Sequence, residues 1–120
     1  MFTRKFGVEV EFTGITRKQA VDTAASYFNA TAAYIGGYYE TYEVRALDGR
    51  IWKFMYDGSI HCQRKENRRL ISTDSHYSVE MVTPILRYRE DIDTLQGLVR
   101  RLRKAGGFAN SSCGIHIHLD

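Results

Sequence analysis

The chain has 120 residues, enough for one domain or a piece of one. A hydrophobic fraction of 43% and a charged fraction of 26% are ordinary for a globular protein, and such a chain can bury about 65% of its unfolded surface without metals or disulfides. The net charge of +3 does not by itself call for nucleic acid, but it suits an anionic substrate such as a nucleotide.

Cys62 and Cys113 form no Cys-x-x-Cys motif and no disulfide framework, which points to a reducing compartment. No long apolar run follows the charges of the first six residues, and no stretch approaches the ~20 apolar residues of a membrane span. A cytoplasmic protein is expected.

The first element is Gly7-Val8-Glu9-Val10-Glu11-Phe12, whose apolar and polar residues alternate with the period of a strand. Val8, Val10 and Phe12 point into a core. Glu9 and Glu11 point the other way, with Cα atoms about 6–7 Å apart. Parallel carboxylates on a rigid strand can flank a hard cation such as Mg²⁺. They equally suit a half-buried strand with a wet acidic face.

Thr13-Gly14-Ile15 makes a turn. Thr16 then reads as an N-cap, with Gln19 completing a capping box. A helix is expected from about Arg17 to Asn29, with Ala20, Val21, Ala24, Tyr27 and Phe28 on its core face. Gly36-Gly37 breaks the chain. A strand from Tyr38 to Leu47 follows, then a hairpin turn at Asp48-Gly49 and a returning strand from Ile51 to Tyr56. Trp52, Phe54 and Tyr56 should pack inward, against the first helix.

Asp57-Gly58-Ser59-Ile60 reads as a turn into a short strand. Arg64 to Arg69 is charged and without apolar periodicity, so it reads as an exposed loop or hairpin tip. Solvation explains it; a basic loop serving a phosphate site, with Arg64 and Arg68 as nucleotide contacts, is the sharper reading. His76 to Thr83 is a further strand, interrupted by Pro84.

A second helix is expected from Glu90 to Ala105, with an apolar stripe of Ile92, Leu95, Leu98, Val99 and Leu102. Its acidic first turn and basic last turn follow the helix dipole, which accounts for the arginine cluster without nucleic acid. Gly106 suits the left-handed position after it. In the last segment Cys113, Ile115, Ile117 and Leu119 alternate with Gly114, His116, His118 and Asp120.

The order β-α-β-β-(β)-β-α-β predicts one α+β domain over residues 1–120: a mainly antiparallel sheet with both helices on one face. The side chains opposite the helices then include Glu9, Glu11, Glu80, His116 and His118. Carboxylates with one imidazole suit Mg²⁺ or Mn²⁺. Alternation puts Cys113 on the opposite face from the histidines, which argues against zinc. No Walker A loop and no Gly-x-Gly-x-x-Gly motif is present.

Phe6-Gly7-Val8-Glu9-Val10-Glu11-Phe12, Asp57-Gly58-Ser59-Ile60, Val79-Glu80-Met81-Val82-Thr83-Pro84-Ile85-Leu86 and Asn110-Ser111-Ser112-Cys113-Gly114-Ile115-His116-Ile117-His118 together resemble the amidoligase family. These are carboxylate–amine ligases with the glutamine synthetase/glutamate–cysteine ligase fold. The resemblance covers nearly the whole chain, and the first and last motifs together are the specific ones. Thr83 stands where the family often has Ser before Pro.

The resemblance implies ATP-dependent phosphorylation of a carboxylate, then displacement of phosphate by an amine to give an amide or isopeptide-type bond. It implies Glu9, Glu11, Glu80 and His116 as ligands of Mg²⁺ or Mn²⁺, with Glu9, Glu11 and His116 the catalytic set. His118 would contact phosphate. Substrates would be small-molecule or peptide carboxylates and amines. Family members usually continue for a further half, so the resemblance implies that residues 1–120 are the N-terminal portion of a catalytic domain, or a naturally short relative. A C-terminal half or a protein partner would then complete the site.

The alternative is a non-catalytic protein-binding module on a shortened ligase fold, such as a phage-encoded inhibitor of a host system. Nucleic-acid binding through Arg64, Arg68 and Arg69 is a weaker third reading.

Overall fold

A computed structural model describes residues 4–119. The elements, in chain order, are β1 (Lys5–Phe12), α1 (Arg17–Phe28), β2 (Ala32–Gly36), β3 (Thr41–Arg45), β4 (Ile51–Met55), β5 (Gln63–Glu66) and β6 (Arg69–Ser72). A 3₁₀ turn at Ser75–Tyr77 leads to β7 (Val79–Val82), β8 (Leu86–Arg87), α2 (Tyr88–Lys104) and β9 (Ile115–Leu119). No described helix is long and apolar enough to cross a membrane.

Local chemistry explains most boundaries. The Thr16 hydroxyl accepts the Gln19 N–H, and the Gln19 side chain accepts the Thr16 N–H, so the capping box of α1 is complete. Asn29 ends the helix in the left-handed conformation that asparagine tolerates. Gly106, with φ of 117°, follows the Ala105 cap of α2. Asp48 accepts the Arg50 N–H, and Gly49 takes a positive φ, so Asp48-Gly49 turns β3 into β4 as the sequence predicts.

The main sheet is antiparallel throughout and runs β2-β3-β4-β7-β1. Because β7 and β9 both pair with Glu9 and Val10, they lie on opposite edges of β1. β8 shares the β7 edge: it pairs with Lys5 and Phe6, and β9 faces Phe6 from the other side. Between β7 and β8 the register slips by one residue around Pro84, which has no N–H for the ladder. Thr83 bridges the irregularity and leaves both Val8 backbone groups satisfied. Its N–H donates to the Val8 carbonyl, and its hydroxyl accepts the Val8 N–H at 3.0 Å. A serine hydroxyl could make the same bond.

Both helices lie on one face, where Phe12, Val44, Trp52, Phe54, Val79 and Met81 meet Ala20, Val21, Ala24, Leu98 and Leu102. Trp52 and Phe54 are each worth about 2–3 kcal/mol of burial. The Trp52 ring meets Phe28 of α1 with centroids 5.0 Å apart, the predicted contact. Ile92, Leu95 and Val99 of α2 are only half-buried. They form one wall of an apolar trough of about 720 Å³, whose floor is Phe6, Val8 and Val10 and whose far wall is Ile115, Ile117 and Leu119. β9 itself is exposed on both faces.

Three expected elements differ. The predicted strand over Tyr38–Leu47 is shorter, because Gly37 to Glu40 form a turn. Its partner β2 lies earlier, in a run whose alanines carry little strand signal. The strand at His76–Thr83 begins only at Val79, since Asp74 accepts the His76 N–H and winds the 3₁₀ turn. Ile60 is buried in a loop and forms no strand. The charged run is a hairpin, β5–β6, turning at Asn67-Arg68, both with positive φ.

Candidate metal and phosphate site

The face opposite the helices is built row by row, because directly paired residues in a sheet share a face. One row reads Met55, Glu80, Glu11; the next reads Glu43, Lys53, Val82, Glu9, His116; beyond it His118 pairs with Gly7. The alternation in β1, β7 and β9 thus brings all five predicted ligand side chains to one face.

Two neighbouring groups form. In the first, one oxygen from each of Glu11, Asp57 and Glu80 lies within 4.8 Å of the others. An octahedral Mg²⁺ with oxygens at about 2.1 Å needs separations of about 3 to 4.2 Å, so a small contraction around an ion suffices. In the second, Glu9 accepts from His118, Oε2 to Nε2 at 3.0 Å, and lies 3.8 Å from His116 Nδ1. His116 also acts on the charge of Glu11, which joins the two groups.

Asp57 is the residue that sequence reasoning missed as a ligand. Asp57-Gly58-Ser59-Ile60 reads as a turn, and it is one: the Asp57 carboxylate accepts the Ser59 N–H and hydroxyl at 2.8 and 2.7 Å. The chain then carries this turn over the sheet to Glu11 and Glu80. The signal available was the place of Asp57 in one of the four motifs that carry the family resemblance.

The loop is fixed from below. Ser78 donates its hydroxyl to the Asp57 carbonyl at 2.6 Å and accepts the Asp57 N–H at 2.9 Å. The buried Arg17 guanidinium donates to the Ser75 and Ser78 carbonyls at 2.6 and 2.9 Å. It also pairs with Glu40 at 3.1 Å and stacks on Tyr56. Arg17 therefore ties together the residues that precede Asp57 and Glu80. Gly114 donates its N–H to Glu11 Oε1 at 2.7 Å, tying the entry of β9 to the site.

The electrostatics are those of crowded carboxylates. Burial, the negative charge of Glu9 and a hydrogen bond with Asp57 push the Glu80 carboxyl up to about 7. Burial and a hydrogen bond with Asp57 also raise Glu11, opposed by the Gly114 N–H. Burial acts against ionising Asp57, but hydrogen bonds from Glu11, Ser59 and Glu80 outweigh it and hold Asp57 down at about 2. A hydrogen bond between carboxyl groups needs a proton on one of them. Asp57 is the group most favoured to carry the charge, and Glu80 the one most favoured to hold a proton. A divalent cation would replace that proton.

The other candidates lie elsewhere. Arg64 pairs with Glu66 at 2.9 Å and borders a hollow with Gly14, Lys65 and Arg103, while Arg68 is exposed at the hairpin tip. The described contacts do not bring either to the carboxylates. Cys113 Sγ donates to Asn110 and faces an apolar hollow with Val10 and Met81, away from both histidines. Asp91 keeps its expected place in the first turn of α2 and accepts the N–H of the N-cap Arg87; it is also buried and accepts two bonds from Arg50 at 2.7 and 2.9 Å.

No curated protein and no solved structure matches the chain. The family model described as "Putative amidoligase enzyme" matches residues 2–120, essentially end to end. The motifs that build the acidic face fall within that match, and the chain belongs to the amidoligase family.

Proposed function

We propose that this chain carries the metal- and nucleotide-binding part of an ATP- and Mg²⁺-dependent carboxylate–amine ligase. The observation that supports it most is the meeting of Glu11, Asp57 and Glu80 within 4.8 Å, beside Glu9 and its two histidines. Three strands and a loop, far apart in sequence, contribute to this one acidic face, which a merely solvated surface has no need to assemble.

In this reading Glu11, Asp57 and Glu80 would hold one cation, and Glu9 with His116 would hold a second. His118 contacts phosphate. Bound cations would neutralise the phosphoryl oxygens and align the γ-phosphate with the attacking carboxylate. The carboxylate oxygen attacks the γ-phosphorus and ADP leaves. The amine then attacks the acyl carbon, inorganic phosphate leaves, and the amine loses a proton. The strands, anchored by Trp52, Phe54 and Met81 beneath, keep the ligands in place as charge moves.

The test is titration with Mn²⁺, followed by electron paramagnetic resonance and calorimetry, then with a non-hydrolysable ATP analogue with and without Mg²⁺. Saturable Mn²⁺ binding is expected, weakened at least tenfold by Glu11→Gln, Asp57→Asn or Glu80→Gln. Nucleotide binding is expected to require Mg²⁺. Absence of binding, or binding indifferent to all three substitutions, overturns the proposal.

A further inference from the structure

We infer that Lys53 is an anion-binding residue of this face and contacts the phosphate chain of the bound nucleotide. The inference rests on the reading of the face as a metal–nucleotide site. Lys53 is held at the centre of the sheet: its neighbours Trp52 and Phe54 are fully buried on the helix side, so alternation points Lys53 to the acidic side. Register then gives its distance from the ligands. Lys53 pairs with Val82, and Val82 pairs with Glu9. Two strand spacings put the Lys53 and Glu9 Cα atoms about 10 Å apart. Glu80 is the diagonal neighbour of Lys53, about 7–8 Å away.

A lysine stem spans about 6 Å, so its ammonium reaches a ligand lying over Val82, between the carboxylates and itself. Its present partner does not fix it. Glu43 approaches Lys53 at 4.0 Å, the outer limit of an ion pair, and about half of the lysine side chain is in solvent. Such a pair contributes little, and an arriving phosphate can compete for the ammonium.

The other cations of this face are less well placed. Lys5 and Arg87 form a row at the far end of β1, four residues from Glu9, about 13 Å along the strand. Arg45 lies one strand further out than Lys53, and its guanidinium donates to the Gly49 carbonyl. Lys53 is thus the cation that register places nearest to the carboxylates. Its charge also answers a need. A nucleotide triphosphate carries more negative charge than one or two divalent ions offset, once those ions also serve the carboxylates.

The test compares wild type with Lys53→Met and Lys53→Arg in three titrations: Mn²⁺ alone, the Mg²⁺ complex of a non-hydrolysable ATP analogue, and the Mg²⁺ complex of inorganic tripolyphosphate. Lys53 is exposed, and circular dichroism should show the variants folded. Lys53→Met should leave Mn²⁺ affinity within twofold. It should weaken both the nucleotide and tripolyphosphate about tenfold or more, with a reduced salt dependence. Lys53→Arg should restore most of the loss. Unchanged nucleotide and tripolyphosphate affinity in Lys53→Met, with normal wild-type binding, overturns the role of Lys53 and leaves the metal site standing. If wild type binds neither Mn²⁺ nor nucleotide, the functional reading itself fails, and the inference falls with it. Loss of Mn²⁺ binding in Lys53→Met would also overturn the assignment, since it would show a structural role.

Discussion

The proton shared by the acidic cluster makes a measurable link between pH and stability. In the unfolded chain Glu80 titrates at its ordinary value near 4.5, and in the folded protein it titrates at about 7. Between these values the folded state binds a proton that the unfolded state has lost. The Glu80 contribution to folding stability should therefore be full below pH 4.5, fall as pH rises toward 7, and be gone above it. The ceiling for this change is about 3 kcal/mol. Glu80 is only partly buried, and solvent screening reduces the expected loss to about 1–2 kcal/mol. Glu80→Gln keeps the shape of the side chain and removes the titration. Urea unfolding followed by Trp52 fluorescence, between pH 4.5 and 8 without divalent ions, should show the decline in wild type and a flatter profile in Glu80→Gln. At pH 8 the variant should be the more stable by about 1–2 kcal/mol. The difference between the two proteins is the quantity to read. Parallel profiles would refute the shared-proton account. Millimolar Mg²⁺ should abolish or reverse the wild-type decline, since the cation replaces the proton.

Further predictions concern the support of the site. Arg17→Met should lower stability by about 3 kcal/mol, because it strands two carbonyls and Glu40, and should also weaken Mn²⁺ binding by loosening Asp57. Asp91→Asn, which breaks a comparable pair with Arg50 away from the site, should destabilise similarly yet leave Mn²⁺ affinity intact; equal effects on Mn²⁺ would mean that Arg17 has no special role. Thr83→Val removes the acceptor of the Val8 N–H and should cost about 1–3 kcal/mol in chemical denaturation, while Thr83→Ser should cost little. A Cβ on Gly7 meets only open space, so Gly7→Ala should be neutral or stabilising by up to about 1 kcal/mol. It should nevertheless weaken binding of the Mg²⁺–nucleotide complex if phosphates pass close to β1, and unchanged calorimetric affinity would rule out that path.

Much of the local structure was legible because it depends on near neighbours. The capping box at Thr16, the turn at Asp48-Gly49, the inward Trp52 and Phe54, and the opposite faces of Cys113 and His116 all follow from spacing a few residues long. The misread elements fail for two reasons. β2 is specified by its pairing with β3 more than by its own composition. The start of β7 is different: it is decided locally, by the His76 N–H donating to Asp74 two residues away, a cap that period-two alternation does not register. Asp91 and Arg17 also carried no local sign of their burial, since each is satisfied by partners dozens of residues away.

From the sequence alone come the two-sided strands, and therefore the fact that Glu9, Glu11, Glu80, His116 and His118 point away from the apolar side chains. Period-two alternation fixes that whatever the strand order. Only the tertiary structure decides that β7 and β9 flank β1, that Asp57 is carried over Glu11 and Glu80, and that Lys53 stands two strands from Glu9 while Arg64 and Arg68 point elsewhere. Strand order and loop path are settled by which distant surfaces bury each other, a property of the whole chain that no short stretch contains.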